Sequence, residues 1–396
     1  VWSGQEARAL PFPAAMNDAL VQRLRKSLGE REGSSLRRKL VARAVDDARI
    51  NLADNDYLGL SRDPVVVEAG ITALRAWGAS SSASPLVTGY TQLHQQLEHT
   101  LAAWQGYAHG LVLNTGFAAN SAVLGGLPKA GDLVLADRLV HASMLEGIMA
   151  SGARLRRFPH NDLDALELML HEEPALGGVI FVVTESVYSM DGDGPDLRRL
   201  ASLRKRFGFC WVLDEAHATG WYGETGSGMQ EHQGVLAGAD IVVGTLGKGL
   251  GSQGAYVLSH ASEVRDALVN FAGEFVYSTY LAPVSAATAL AAIGRVREMV
   301  AERPRLQAMS VEWRDALCAA DFAVPTGDSP IIPLILGDSD VTLRYAEALR
   351  SAGFMVSAIR PPTVPVRTGR IRISLRRGLD ASALASFLSV LKGISR

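Results

Sequence analysis

Between about Asn51 and Leu258 the chain alternates short, nearly continuous apolar runs with stretches whose apolar residues recur at helical spacing. HGLVLNT, DLVLAD, GGVIFVVTES, FCWVLDEAH and DIVVGTL read as strands buried on both faces, the pattern of a parallel sheet covered by helices. AANSAVLGGL, ASMLEGIMASG and DLDALELMLHEE supply helices between them. The alternation predicts a large α/β domain over residues 51–286 with a mainly parallel sheet. LAPVSAATALAAIGRVREMVAERPRLQAMSVEWRDAL then reads as a long helical connection. After it SPIIPLILG, VTLRYAEALRSAG, FMVSAIRPP, RIRISLRRG and DASALASFLSVLKGI give a βαββα order, a small α+β domain over 287–396. Ahead of both lies an N-terminal segment, residues 1–50. Residues 1–15 lack periodicity and the basic and apolar regions of a signal peptide, so a leader or an added tail is expected. MNDALVQRLRKSLGERE, opening at Met16, predicts an amphipathic helix.

Composition narrows the class. A chain of 396 residues exceeds one ordinary core, and 48% apolar with 20% charged residues suits a soluble globular enzyme. A net charge of −2 with interspersed signs gives no footprint for nucleic acid or an anionic membrane. Cys210 and Cys318 stand far apart without companion histidines, which predicts no metal site and a reducing, cytoplasmic setting. No apolar run approaches the ~18 residues of a membrane span.

The chemistry centres on Lys248, in the glycine-rich turn TLGKGLGSQG between two apolar runs. Asp214 ends an earlier apolar run, and His217 follows three residues later. A lysine in a glycine hinge with a strand-terminal Asp-x-x-His is the set that pyridoxal phosphate chemistry requires. The lysine forms the Schiff base, the carboxylate keeps the ring nitrogen protonated, and the histidine reaches the ring oxygen. Two nucleotide patterns overlap this turn and fail. GLGSQG is followed by the strand-like AYVLS rather than a helix, and GKG lacks the hydroxyl residue and upstream glycine of a P-loop. A phosphate cup is offered where LVLNT gives way to a helix at Gly116 and Phe117, whose free N–H groups favour an anion. Thr245 places a hydroxyl near the same anion. His141, just after DLVLAD and a turn, is placed to stack on a cofactor ring, and Ser189 after GGVIFVVTES to meet its oxygen. His94 and His99 miss a common helical face and are read as structural.

Taken together, NDYLGLS, NTGFAAN, DRLVHASMLEG, SMDGD, DEAHATG, TLGKGLGSQGA, VYST and AIRPPTVP resemble the α-oxoamine synthases, a family of fold-type I pyridoxal phosphate enzymes. The resemblance runs from about Met16 to the C-terminus and implies a seven-stranded, mainly parallel sheet. It implies Lys248, Asp214, His217, Ser189 and His141 in the roles given above, with Gly116, Phe117 and Thr245 around the phosphate. Tyr277, Ser278 and Thr279 match a segment that reaches the neighbouring subunit's cofactor, which implies a homodimer with its sites at the subunit interface. Arg360 and Thr363 match substrate positions, and Arg37, or Arg38 with a one-residue shift, matches a basic N-terminal substrate contact. IRPPTVP favours the branch that joins L-alanine to a pimeloyl thioester, carried by CoA or acyl carrier protein, on the route to biotin. Siblings using glycine or serine, with acetyl, succinyl or long acyl chains, remain alternatives, as does a non-catalytic binding protein of the same fold. Serines at 80–84 replace the glycines of relatives and bear on which substrate fits.

Overall fold

The computed structural model describes residues 17–172 and 177–394; the segment expected to be a leader or tail lies outside them. Asn17 caps a helix, Asp18–Gly33, through a hydrogen bond from the Leu20 amide. No residue of that helix is buried within the chain.

The strands, in chain order, are β1 (Ile50–Asn51), β2 (His109–Leu113), β3 (Leu133–Asp137), β4 (Arg154–Phe158), β5 (Ile180–Glu185) and β6 (Cys210–Asp214). β7 (Ile241–Thr245), β8 (Ala255–Ser259), β9 (Ile331–Gly337), β10 (Phe354–Met355), β11 (Ser357–Ile359) and β12 (Gly369–Ser374) follow. Seven of them form one sheet in the order β2-β8-β7-β6-β5-β3-β4, with β8 antiparallel to both neighbours and the remaining pairs parallel. β3, β7 and β8 are buried along their whole length, so both sheet faces are covered and the apolar runs need no alternation. β4, whose sequence is RLRRF, is the strand that sequence patterning misses: it lies at the sheet's edge and is largely accessible. An edge strand buries little and tolerates charge.

β11, β12 and β9 form a three-stranded antiparallel sheet. β1 pairs in parallel with β10, so residues just ahead of the large sheet are stitched to the C-terminal part. The helix Pro283–Glu298 runs across residue 286 and packs on the helix Pro64–Trp77.

The topology puts the C-terminal ends of β2, β3, β5, β6 and β7 along one sheet edge. Open α/β sheets place ligands at that edge. Each strand delivers a short turn there: Asn114–Gly116, Leu139–His141, Ser186–Ser189, Glu215–His217 and Leu246–Lys248.

Candidate active site

The lysine turn is pressed onto its neighbours by glycine. A Cβ at Gly249 would collide with the Thr219 carbonyl, two residues past His217, and one at Gly251, whose φ is +60°, would collide with the Ser61 amide nitrogen. Side chains at these positions would push the turn away, which is the structural reason for the G-K-G-x-G pattern.

Lys248 Nζ lies 2.8 Å from His217 Nε2, and His217 Nδ1 lies 2.6 Å from the Tyr57 hydroxyl. Tyr57 in turn donates to Asn55 Oδ1 at 3.1 Å, which also accepts from Arg372 at 2.9 Å. Burial, with Lys248 and Arg372 nearby, holds His217 well below the usual histidine range. The imidazole is therefore neutral. Its Nε2 accepts from the lysine ammonium, so its Nδ1 carries the proton and donates to Tyr57. Burial lowers Lys248 to about 8, with Arg372 acting in the same direction and Asp214 and Glu185 opposing it. An amine near 8 is partly free at neutral pH, which suits a nucleophile and a proton carrier.

Asp214 is 7% exposed at the end of β6. One carboxylate oxygen accepts from Asn120 Nδ2 at 2.9 Å and the other from the Ala216 amide at 2.7 Å. Asn120 sits on the helix Gly116–Gly126, so that helix holds Asp214 and also offers its N-terminus to the cleft. Thr115 caps it, accepting from the Ala118 amide at 3.0 Å. The Gly116 and Phe117 amides find no acceptor among the described residues, as expected for the first turn of a helix. Thr245 stands about 4.0 Å from a Cβ built on Gly116. Its hydroxyl donates to the Gly254 carbonyl and accepts from the Gly247 amide, so it also shapes the lysine turn.

His141 is the N-cap of the helix Ala142–Ser151, its Nδ1 2.7 Å from the Ser143 hydroxyl. Its amide donates to Glu185 at 2.6 Å, and the residue as a whole is exposed. Ser189 is held from behind, its carbonyl accepting from Arg372 Nε at 2.6 Å. On β12, Arg370 and Arg372 share one face and both turn inward, at 4% and 6% exposure, while Ile371 and Ile373 fill the core on the other.

The remaining expected residues lie further out. Arg360 donates to the Ser35 carbonyl, and Arg38 donates to the Thr363 hydroxyl at 2.9 Å. Arg37 turns instead to Glu32. Of the two alternatives left by sequence, Arg38 is the one that joins Arg360 and Thr363. Thr363 and Ser189 line a common cavity of about 180 Å³, together with Asp191 and Arg370. Tyr277 points outward at 87% exposure, and the Thr279 carbonyl accepts from Asn114 Nδ2 at 2.7 Å. Ser81, within the serine loop, donates to the Tyr280 and Leu281 carbonyls, which anchors that loop beside the same segment.

Sequence reading misses Tyr57, Asn120, Glu185 and Arg372. Tyr57 and Glu185 lie inside recognised motifs, but nothing in a single sequence tells which motif residue faces which. The alternation in RIRIS was a visible signal for Arg372, since a charged residue at every second strand position demands a polar partner.

The sheet order and the lysine–histidine–aspartate cluster at its edge define a fold-type I pyridoxal phosphate enzyme. A family model, Aminotransferase class I and II, matches residues 48–391. The 8-amino-7-oxononanoate synthase of Geobacter metallireducens is 41% identical over 359 residues, 90% of this chain and 91% of its own. That of Sodalis glossinidius is 42% identical over 381 residues, 96% of either chain. Among solved structures, a serine palmitoyltransferase from S. paucimobilis superposes with TM-score 0.87 at 28% identity, over 95% of this chain and 96% of that one. An 8-amino-7-oxononanoate synthase from Francisella tularensis superposes with TM-score 0.76 at 28% identity, covering 88% and 98%. The chain belongs to the aminotransferase class I and II family and, within it, to the 8-amino-7-oxononanoate synthases.

Proposed function

We propose that the chain condenses L-alanine with a pimeloyl thioester, on CoA or acyl carrier protein, giving 8-amino-7-oxononanoate, CO2 and free thiol for biotin synthesis. The observation that carries this is the meeting of Lys248, His217 and Asp214 at the sheet edge in a chain so similar to named synthases.

The donor set fits pyridoxal 5'-phosphate. Unpartnered amides at Gly116 and Phe117, beside Thr245, suit the phosphate. Lys248 suits the aldehyde, Asp214 a cationic ring nitrogen, and the exposed His141 a stacked ring. His217 and Ser189 suit the ring oxygen. When bound, the cofactor supplies an electron-withdrawing ring that stabilises negative charge at the alanine Cα.

The chain's own groups do the rest. Asp214, fixed by Asn120 and the Ala216 amide, holds a proton on the ring nitrogen. Lys248, as a free amine, would take the Cα proton. The Tyr57–His217 pair keeps that amine oriented without competing for its charge, because His217 stays neutral. Arg360 takes the amino-acid carboxylate, and Arg38 with Thr363 meets the acyl substrate. Tyr277, Ser278 and Thr279 serve the site of a second copy in a homodimer. The exposure of Phe271 at 79% and Tyr277 at 87%, with Leu40, Val41 and Val45 bare in a single chain, supports burial against that copy. Two free cysteines suit the cytoplasm. Among the described residues no helix is long and apolar enough to cross a membrane.

Thiol release measured for alanine, glycine and serine against acetyl, succinyl, pimeloyl and palmitoyl thioesters tests the assignment. Alanine with pimeloyl should give the highest kcat/KM; a preference for glycine or serine overturns it. Within this reaction Arg38→Ala should raise KM for the acyl thioester about tenfold or more, the ~1.5–3 kcal/mol of a lost charged hydrogen bond. Arg37→Ala should leave it nearly unchanged. The reverse ranking would return the contact to Arg37.

A further inference from the structure

His160 lies outside the cluster described above, in the loop after β4, and none of its hydrogen bonds goes to Lys248, Asp214 or His217. It stands between two carboxylates. Its Nδ1 is 2.9 Å from Asp137 Oδ1, and its Nε2 is 3.0 Å from Asp193 Oδ2. Each carboxylate belongs to a loop that carries a site residue. Asp137 ends β3 and also accepts from the Leu139 amide at 2.7 Å, two residues before His141. Asp193 closes the hairpin that holds Ser189: its carbonyl accepts from the Tyr188 amide, and the Gly192 amide donates back to Tyr188, both at 2.8 Å. Asn161 doubles the link, its amide bonding Asp137 at 2.7 Å and its side chain Asp193 at 3.2 Å. The Tyr188 ring meets the imidazole edge-on at 4.5 Å between centroids.

We propose that His160 is a positioning residue, a latch that sets the spacing between the loops bearing His141 and Ser189 and hence between a stacked ring and the donor at its oxygen. The physical reason is charge. Asp137 has a side chain only 1% exposed, and two carboxylates facing each other across one gap need a cation with two donors in a fixed line. An imidazolium supplies that line. Burial opposes the charge, but hydrogen bonds to Asp137 and Asp193 outweigh it and hold His160 at about 10, so the latch stays closed through the neutral range. A neutral amide in its place sets no positive charge between the two carboxylates, and the Ser189 hairpin is then tied to the His141 loop through neutral donors such as those of Asn161, a weaker and less fixed link. Arg370 and Arg372 still grip that hairpin from the other side, through Asp191 and the Met190 and Ser189 carbonyls. The expected outcome is a misplaced site in a folded protein.

The inference rests on the roles proposed for His141 and Ser189. The test compares wild type, His160→Gln, Asp193→Asn and the double variant, each loaded with pyridoxal phosphate. It reads the cofactor absorbance band, kcat per cofactor-occupied site, KM for alanine and the unfolding midpoint. Each single variant should lose ten- to a hundredfold in kcat per occupied site, the order of effect of a displacement near 1 Å. The absorbance band should shift, and the double variant should be no worse than the poorer single one, because both remove the same link. Asp193 has a side chain 39% exposed, so Asp193→Asn decides the matter if His160→Gln fails to fold. Folded variants with a wild-type band and kcat overturn the latch, as does a loss confined to the unfolding midpoint or to cofactor occupancy. A wild-type chain that acquires no band overturns the functional assignment itself, and the latch with it.

Discussion

Lys248→Ala should abolish turnover and leave borohydride unable to fix pyridoxal phosphate to the chain. The lysine has two tasks, covalent attachment of the cofactor and transfer of the Cα proton. Loss of general acid–base work alone costs on the order of 10²–10⁴-fold, and the covalent role adds to that. Thiol release and mass spectrometry after reduction read the two tasks separately. A variant that kept both would remove Lys248 from the centre of the site. The same substitution carries a pH signature in the cofactor-free chain. Lys248 sits at about 8 when folded, against the usual 10.5. Between these values the unfolded chain holds a proton that the folded chain has released, so this group's contribution to stability rises with pH across the window. The stability of wild type relative to Lys248→Ala should therefore improve from pH 8 to 10.5, by at most about 3 kcal/mol at ~1.4 kcal/mol per unit. Urea unfolding at both ends of the window measures it. A flat difference would mean the amine is not desolvated.

Asp214→Asn should leave a folded protein that binds cofactor and turns over ten- to a thousandfold more slowly. An adjacent opposite charge shifts a pKa by about 1–3 units, and each unit is worth about a factor of ten in rate when the proton must stay in place. The amide keeps the volume but loses the charge, and it can accept from only one of Asn120 and the Ala216 amide. Single-turnover kinetics on the loaded variant isolate the Cα step. Near-wild-type kcat in Asp214→Asn would show that ring protonation does not depend on this carboxylate.

The large sheet was legible because its strands are buried on both faces and so appear as apolar runs between helical patterns. β4 was not, because an edge strand rich in arginine carries no such run. In the site, Lys248, Asp214 and His217 were legible because each follows a strand end in a motif with a chemical reason. Tyr57 and Arg372 were not. Their importance comes from contacts to residues 160 and 317 positions away, and no spacing rule spans such distances. The choice between Arg37 and Arg38 was open for a related reason. Adjacent residues of the same type look alike until a backbone turns one toward Glu32 and the other toward Thr363.

By itself, then, the sequence determined the sheet and nominated the groups proposed to carry the chemistry at its strand ends, since burial pattern and glycine hinges are local properties written in order along the chain. Tertiary structure alone decided their electrostatic states and partners. Lys248 is lowered, His217 is held neutral with its proton toward Tyr57, and His160 stays charged between two aspartates. Those states depend on desolvation and on charges brought together from separate loops, and both exist only after the sheet edge has assembled.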